Sequence, residues 1–395
     1  MVKAAVGTTM VLAGVVGITA PAWAVTPTSF TPGDIVVYET LGTSSASQAV
    51  SLVDYSTTGV ASGFAVNLPT ADSGSTHALT ESGGALNDGE LTLSADGYSL
   101  IATGYDAAPG VASITSSTDP RTVAIVSSTG TVDTSTSLSD GTTEGQNFRS
   151  ATTATTGGSI YTGGGAGAGI TADGGTAVAY LNADKVHEVQ VANGQLYEST
   201  TSAINAVGSG LPTGSSPSDT SLITGSNLPK HFGPDQFAFV TLGSGPGPDT
   251  LYVADGSNGA TSGDPSAIEK YSLESGVWVA TGSITVPLVV GLAADVVDGV
   301  ANIFVTGATS TSAANNTVLE EFTDGSGAGG TLSGTSPVWS VTAPSGTDFK
   351  GLAFAPVAQP GAETPEVPLA LLLPLSAALV AGGSVVLRRR RRSVA

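Results

Sequence analysis

The sequence offers few side chains that could do chemistry, and their spacing narrows which chemistry that could be. The segment Asp255-Gly256-Ser257-Asn258-Gly259, followed by Asp264, sets hard oxygen donors on a glycine loop, the donor type Ca²⁺ takes. Asp255, Asn258 and Asp264 are therefore the metal-ligand candidates, and Ca²⁺ is the one cofactor suggested. Plain turn chemistry competes with this reading, because Asp, Asn and Gly are also what turns use. No Glu closes the loop as in an EF-hand. His77, His187 and His231 lie far apart, without the H-x-x-x-H or H-E-x-x-H spacing that brings two ligands to one face, so each reads as a surface or loop residue. There is no G-x-S-x-G nucleophile elbow. The run Gly163-Gly164-Gly165-Ala166-Gly167-Ala168-Gly169 lacks a following Lys-Ser/Thr pair, which argues against a phosphate cradle. No catalytic residue emerges, and hydrolysis is not expected, since acid–base or metal-assisted chemistry needs a converging set of groups.

The elements that would position such groups are short strands in a repeat. Leu251-Tyr252-Val253-Ala254, Ile268-Glu269-Lys270-Tyr271 and Val277-Trp278-Val279 return in the same order as Ile303-Phe304-Val305-Thr306, Leu319-Glu320-Glu321-Phe322 and Val338-Trp339-Ser340-Val341. Three elements recurring in sequence mark a supersecondary repeat. Each is a run of β-branched and aromatic residues bounded by Gly, Asp, Asn or Ser, which is strand and turn composition. A leading strand precedes each unit, as Phe237-Ala238-Phe239-Val240 and Gly291-Leu292-Ala293-Ala294. A last one, Gly351-Leu352-Ala353-Phe354, has no successors. Its missing partners stand at the other end, as Ile35-Val36-Val37-Tyr38, Ser51-Leu52-Val53-Asp54-Tyr55 and Phe64-Ala65-Val66-Asn67-Leu68. The unit is complete only if the chain closes into a ring.

Between these ends, Leu91-Thr92-Leu93-Ser94, the Asp96-Gly97 turn, Tyr98 to Ala102 and Thr122 to Val126 form a further unit, and weaker ones begin near Phe148 and Val186. The expected fold is all-β: a propeller of about six four-stranded blades, or seven if a long loop hides one. Closure argues against an open sandwich or β-helix, because a ring protects its edges. The long Gly/Ser/Thr-rich stretches Gly157 to Gly169 and Gly208 to Asn227 read as solvated connectors. With Leu251-Tyr252-Val253-Ala254-Asp255 as a second-strand phrase, residues 25–356 resemble bacterial β-propellers of the NHL and gluconolactonase-like type. That resemblance implies a metal held by carboxylate and amide side chains around the central channel, although none of the family's ligand positions can be matched here.

The two ends carry targeting signals. Residues 1–24 run from Lys3 through an apolar stretch to Ala22-Trp23-Ala24, the pattern of a secretory signal peptide. Residues 369–387 hold no charge, reach about 28 Å as a helix and are followed by five arginines in the tail 388–395, the pattern of one transmembrane helix with a cytoplasmic basic flank. With Thr364-Pro365-Glu366-Val367-Pro368 in the linker 357–368, this end resembles the tripartite C-terminal sorting signals of bacterial surface proteins. The location expected is the extracellular side of a bacterial envelope, by single-pass membrane or cell-wall anchoring.

Lys3 and the five arginines account for half of the 12 basic residues, leaving six against 32 acidic ones in the ectodomain. A chain so acidic is not a nucleic-acid binder. Without cysteine, packing or metal must hold an exported fold together. The function expected is a monomeric, surface-anchored binding or structural module for an extracellular ligand. The alternative is a metal-dependent lactonase-like hydrolase with its site in the central channel. Asp, Glu, Asn or His converging on the channel favours the hydrolase, and a channel of Gly, Ser, Thr and apolar groups favours the module.

Overall fold

The computed structural model describes residues 27–361, except 215–216, 257–264, 311–314 and 335. The segments read as signal peptide and transmembrane helix lie outside the described residues. Among the described residues no helix is long and apolar enough to cross a membrane.

The strands follow the repeat. β1 (Ile35–Thr40), β2 (Ser47–Tyr55) and β3 (Ala61–Asn67) come first, and then the short β4 (Thr80–Ser82). β5 (Thr92–Leu93), β6 (Ser99–Tyr105), β7 (Arg121–Ser127) and β8 (Val132–Leu138) form the next row, followed by β9 (Phe148–Thr153), β10 (Ile160–Gly164), β11 (Gly169–Thr171) and β12 (Ala179–Tyr180). β13 (Val186–Ala192), β14 (Gln195–Thr200), β15 (Ile204–Val207) and β16 (Asp219–Ser221) come after them. The regular half holds β17 (Pro234–Val240), β18 (Thr250–Asp255), β19 (Ala267–Glu274) and β20 (Val277–Thr285), then β21 (Leu292–Val297), β22 (Val300–Gly307), β23 (Val318–Asp324) and β24 (Trp339–Thr342). β25 (Asp348–Phe354) ends the fold.

Four rows, starting at β9, β13, β17 and β21, are separate four-stranded antiparallel sheets. The remaining strands form one nine-stranded sheet rather than two further separate ones. In it β4 pairs with both β2 and β6 and so joins the row β25-β1-β2-β3 edgewise to the row β5-β6-β7-β8. The count of separate sheets therefore departs from the expected six. The cause is local: Ala49↔Thr80 and Thr80↔Tyr105 pairing leaves no gap between the first two rows.

Ring closure is direct. β25 pairs antiparallel with β1, with Phe354 opposite Ile35 and Leu352 opposite Val37, so the end of the chain completes the sheet begun at its start. The innermost strands β25, β5, β9, β13, β17 and β21 touch one another in that order, and β21 returns to β25. The fold is a β-propeller. Three of its hairpins turn on Asn193-Gly194, Ser275-Gly276 and Asp298-Gly299, in each of which both residues have positive φ. That is the type I′ geometry which matches strand twist.

The core is a set of clusters between neighbouring rows. Along β1, Ile35 and Val37 pack with Phe304, Leu319 and Phe349 on one side, while Val36 and Tyr38 pack with Leu79, Leu100 and Ala102 on the other. β18 and β22 divide their faces in the same way. Successive side chains of a strand point to opposite faces, so a strand buried on both sides needs an unbroken apolar run.

Two expected connectors contain strands. β10 and the start of β11 lie within Gly157 to Gly169, and β16 lies within Gly208 to Asn227. The glycines of the first are packing positions: a Cβ on Gly163 would stand 2.7 Å from Val186, and one on Gly164 or Gly169 would meet Asn147 or Val178. Low side-chain bulk here lets sheets approach, rather than leaving a loop solvated.

Leu352 is buried on the closing strand, whereas Val357, just beyond it, is exposed. Leu352→Asp should cost about 3 kcal/mol or more, the range for an unpaired charge in a core, and Val357→Asp should cost almost nothing. Denaturant unfolding of the two variants checks this, and equal midpoints would refute closure through β25.

Candidate functional site at the channel mouth

The six innermost segments share one pattern. Each sets an apolar residue against its neighbours at Leu91, Ala151, Val189, Phe237, Leu292 and Leu352, and just before it stands Glu90, Ser150, Glu188, Gln236, Gly291 or Gly351. These preceding residues form a layer across the channel, and Gln236 is its centre. Its Oε1 accepts the backbone N–H groups of Leu292 (3.2 Å) and Leu352 (2.8 Å), and its Nε2 donates to Leu91 O (2.8 Å) and Glu188 Oε1 (3.2 Å). One buried amide thus ties five sheet rows together. The glycines of the layer make room: a Cβ on Gly351 would collide with Leu91 N and Glu90 Cα.

Glu188 also accepts Phe237 N–H at 2.9 Å. Burial pushes its pKa up to about 8, against those two hydrogen bonds, which lower it. Glu90 is fully buried, and neither of its carboxylate oxygens has a hydrogen-bond partner. Burial first, and then the nearby Asp235, Glu188 and Asp88, hold its pKa well above the usual carboxylate range. Lys350, which works the other way, is committed to Asp348 Oδ2 (2.9 Å) and Ala85 O (2.6 Å).

A pocket of about 210 Å³ opens where the innermost strands begin, lined by Leu86, Asn87, His187, Asp235, Gly256 and Leu288 among others. His187 Nδ1 lies 2.7 Å from Asp235 Oδ1 and 3.0 Å from Pro234 O, so that nitrogen carries the proton. Asn87 Nδ2 donates to the same Oδ1. Asp235 Oδ2 is buried with no partner. Leu288 holds φ at +49°, a left-handed conformation costing a branched residue about 1–2 kcal/mol. A second pocket, about 220 Å³, is lined by Gln236, Glu188 and the apolar residues that follow them, including Phe237, Leu292 and Leu352. Gln236 and Glu188 line this second pocket, whereas the residues just before them, Asp235 and His187, line the first.

The structure corrects the reading of His187, which is not a surface or loop residue but a buried one on β13, paired with an aspartate. Nor is the channel lined only by small and apolar groups, since Glu90, Glu188, His187, Asp235 and Gln236 converge on it. Aligning the leading strands on their shared apolar residue would have found this, because His187 and Asp235, like Glu188 and Gln236, occupy the same position in adjacent repeats. His77 and His231 do lie in loops.

Of the metal candidates, Asp255 ends β18, buried, with Oδ1 accepting Gly233 N–H at 2.9 Å. Asn258 and Asp264 lie outside the described residues. Two donor groups that the sequence did not suggest bring three ligand atoms within 4.8 Å of one another, Asp72–His77–Asp106 and Asp184–Glu198–Asp219. In the first, His77 Nδ1 lies 2.9 Å from Asp106 Oδ2, which also accepts from Ser137 Oγ. In the second, Glu198 is satisfied by Asn182 and Asn205.

No family model matches this chain, and no curated protein matches it significantly. Solved structures align with most of it. A protein of unknown function from Bacteroides caccae aligns at 11% identity and TM-score 0.45 over 82% of this chain and 98% of its own. A putative 6-phosphogluconolactonase from Bacteroides fragilis does so at 9% and 0.41 over 81% and 98%. A protein from Lactobacillus plantarum does so at 12% and 0.42 over 82% and 99%. Strand pairing and the closed ring establish the propeller independently of these likenesses.

The raised Glu188 pKa makes a stability prediction. Between the unfolded value of 4.5 and the folded value of about 8, the folded chain binds the extra proton, so Glu188 stabilises below pH 4.5 and that contribution is lost as pH rises to about 8. Unfolding free energy should fall over this window, and the fall should be smaller in Glu188→Gln. Parallel slopes for the two proteins in urea titrations from pH 5 to 8 would show that Glu188 is not buried as described.

Proposed function

We propose that this chain is an exported, surface-anchored propeller of six blades, the first two sharing β4, that binds a small ligand in the pocket at its channel mouth. The observation that carries the reading is a pocket of about 210 Å³ with a His187–Asp235 pair in its wall, one residue before the Gln236 layer on each strand. Concave sites with apolar walls and a few convergent polar groups are what small-molecule binding uses. The strained Leu288 on the wall supports it, because a left-handed branched residue is kept where the surroundings over-determine it, and such positions cluster at ligand sites. Export and anchoring rest on residues 1–24 and 369–395, the partner being an extracellular ligand or surface component.

A second reading, a metal-dependent lactonase-like hydrolase, is favoured by the convergence of Glu90, Glu188, His187 and Asp235 on the channel, and above all by Glu90, buried with both oxygens unpartnered. A divalent cation would satisfy that carboxylate, and Glu188 stands in the same layer. Bound there, such an ion would polarise a carbonyl or activate water. Lactone turnover that needs added divalent metal and is lost in Glu90→Gln would establish it in place of the binding module.

Leu288→Gly separates a binding wall from a structural one. Glycine relieves the left-handed strain, so stability should hold or rise by up to about 1 kcal/mol, while small molecules bound at the mouth should bind at least several-fold more weakly. Thermal unfolding together with ligand-observed NMR against a mixed set of charged and neutral fragments reads both. Unchanged binding, or no fragment bound at all, would defeat the pocket assignment.

A further inference from the structure

The mouth pocket has one open valence. Asp235 is fully buried, its Oδ1 is taken by His187 and Asn87, and its Oδ2 has no partner. A buried carboxylate oxygen left without a donor is costly. Asp235 and Gly256 both line this pocket, and Gly256 packs close on Oδ2, since a Cβ on it would stand 2.5 Å from that oxygen. Gly256 has no positive φ, so its lack of a side chain serves this close approach to the oxygen rather than the backbone.

The surroundings choose the donor. Glu90 and Glu188, whose raised pKa values keep them protonated at neutral pH, bring no positive charge to Asp235 and leave its carboxylate as the acceptor at the mouth. The nearby cations are engaged elsewhere, Lys350 with Asp348 and main-chain carbonyls, and Arg149 with Asp88 (3.3 Å) and Val186 O (3.1 Å). An anion therefore finds no free cation beside it here among the described residues. A bare divalent ion wants six or more oxygens, whereas Leu86, Leu288, Val289 and Val290 make a large part of this wall apolar. A group that is cationic at one end and apolar over the rest matches both surfaces.

We propose that the mouth pocket is an ammonium site, in which Asp235 Oδ2 receives the N–H groups of a small alkylamine whose carbon chain lies on Leu288, Val289 and Val290. The proposal rests on the binding reading above and names its ligand class. A side chain at position 256 would crowd Oδ2, and His187 with Asn87 holds the other oxygen of the carboxylate.

The test uses the full chain in detergent solution, with n-butylammonium chloride as the probe, 1-butanol as its uncharged isostere and calcium chloride as the inorganic cation. Butylammonium should bind at least tenfold more tightly than 1-butanol. Asp235→Asn and Gly256→Ala should each weaken butylammonium at least tenfold, and Asp235→Asn should leave 1-butanol unchanged. Gly256→Ala keeps every charge, so it decides the matter where Asp235→Asn fails to fold. Equal binding of amine and alcohol, amine binding indifferent to both substitutions, or calcium held at Asp235 to the exclusion of the amine would each overturn the proposal. If butylammonium fails while 1-butanol binds and is lost in Leu288→Gly, the ammonium site falls and the pocket stands. If neither probe binds, both fall.

Discussion

A single buried amide sets the terms for this fold. Rows of a propeller attract one another through apolar side chains, which fix neither their number nor their register around the axis. Gln236 supplies that specificity, because its two acceptor and two donor sites are each used, and each bond goes to a different innermost segment. Such a network is stabilising only when complete, since every group left unpaired in a dry channel costs what the bond would have gained. The glycines at 291 and 351 are part of the same constraint. They let two backbones come close enough for one side chain to reach both.

The strands themselves were largely legible in the sequence, for a physical reason. Runs such as Ile35-Val36-Val37-Tyr38 and Ile303-Phe304-Val305 have both faces buried between neighbouring rows, so they stand out as continuous apolar segments rather than weak alternations. The pairing of the last strand with the first followed from counting what each end lacked. The sharing of β4 between two rows was not legible, because it depends on a three-residue strand with no apolar run. Nor was β10, whose Gly163 and Gly164 carry turn-like composition but serve tight packing.

The candidate site was less visible, because its members are separated by whole repeats. His187 and Asp235 are 48 residues apart in sequence and meet only because equivalent positions of consecutive blades face one channel. Motif spacing tests residues on one element. A propeller assembles its site from one residue per element, so the informative comparison is between repeats at a fixed register. The Asp255 loop drew notice through its donor density, yet the described part of it turns its carboxylate inward to Gly233 and contributes Gly256, a residue without chemistry, to the pocket.

Charge distribution follows from the same economy. Only six basic residues lie within residues 25–368, and several of them are internal: Arg121 lies over the Tyr105 ring and donates to Thr115, Ser117 and Gln146 carbonyls, while Lys270 meets Asp324 at 2.7 Å and the carbonyls of Gly327 and Gly330. Lys350 is spent the same way beside the channel. Buried cations hold loops onto strand ends where no apolar contact could, since a carbonyl is satisfied by an N–H and not by packing. With its cations so used, the protein presents an acidic exterior, and at the channel mouth it leaves a carboxylate that no internal cation reaches. The acidity of the surface and the open oxygen of Asp235 are therefore two consequences of one allocation of scarce positive charge.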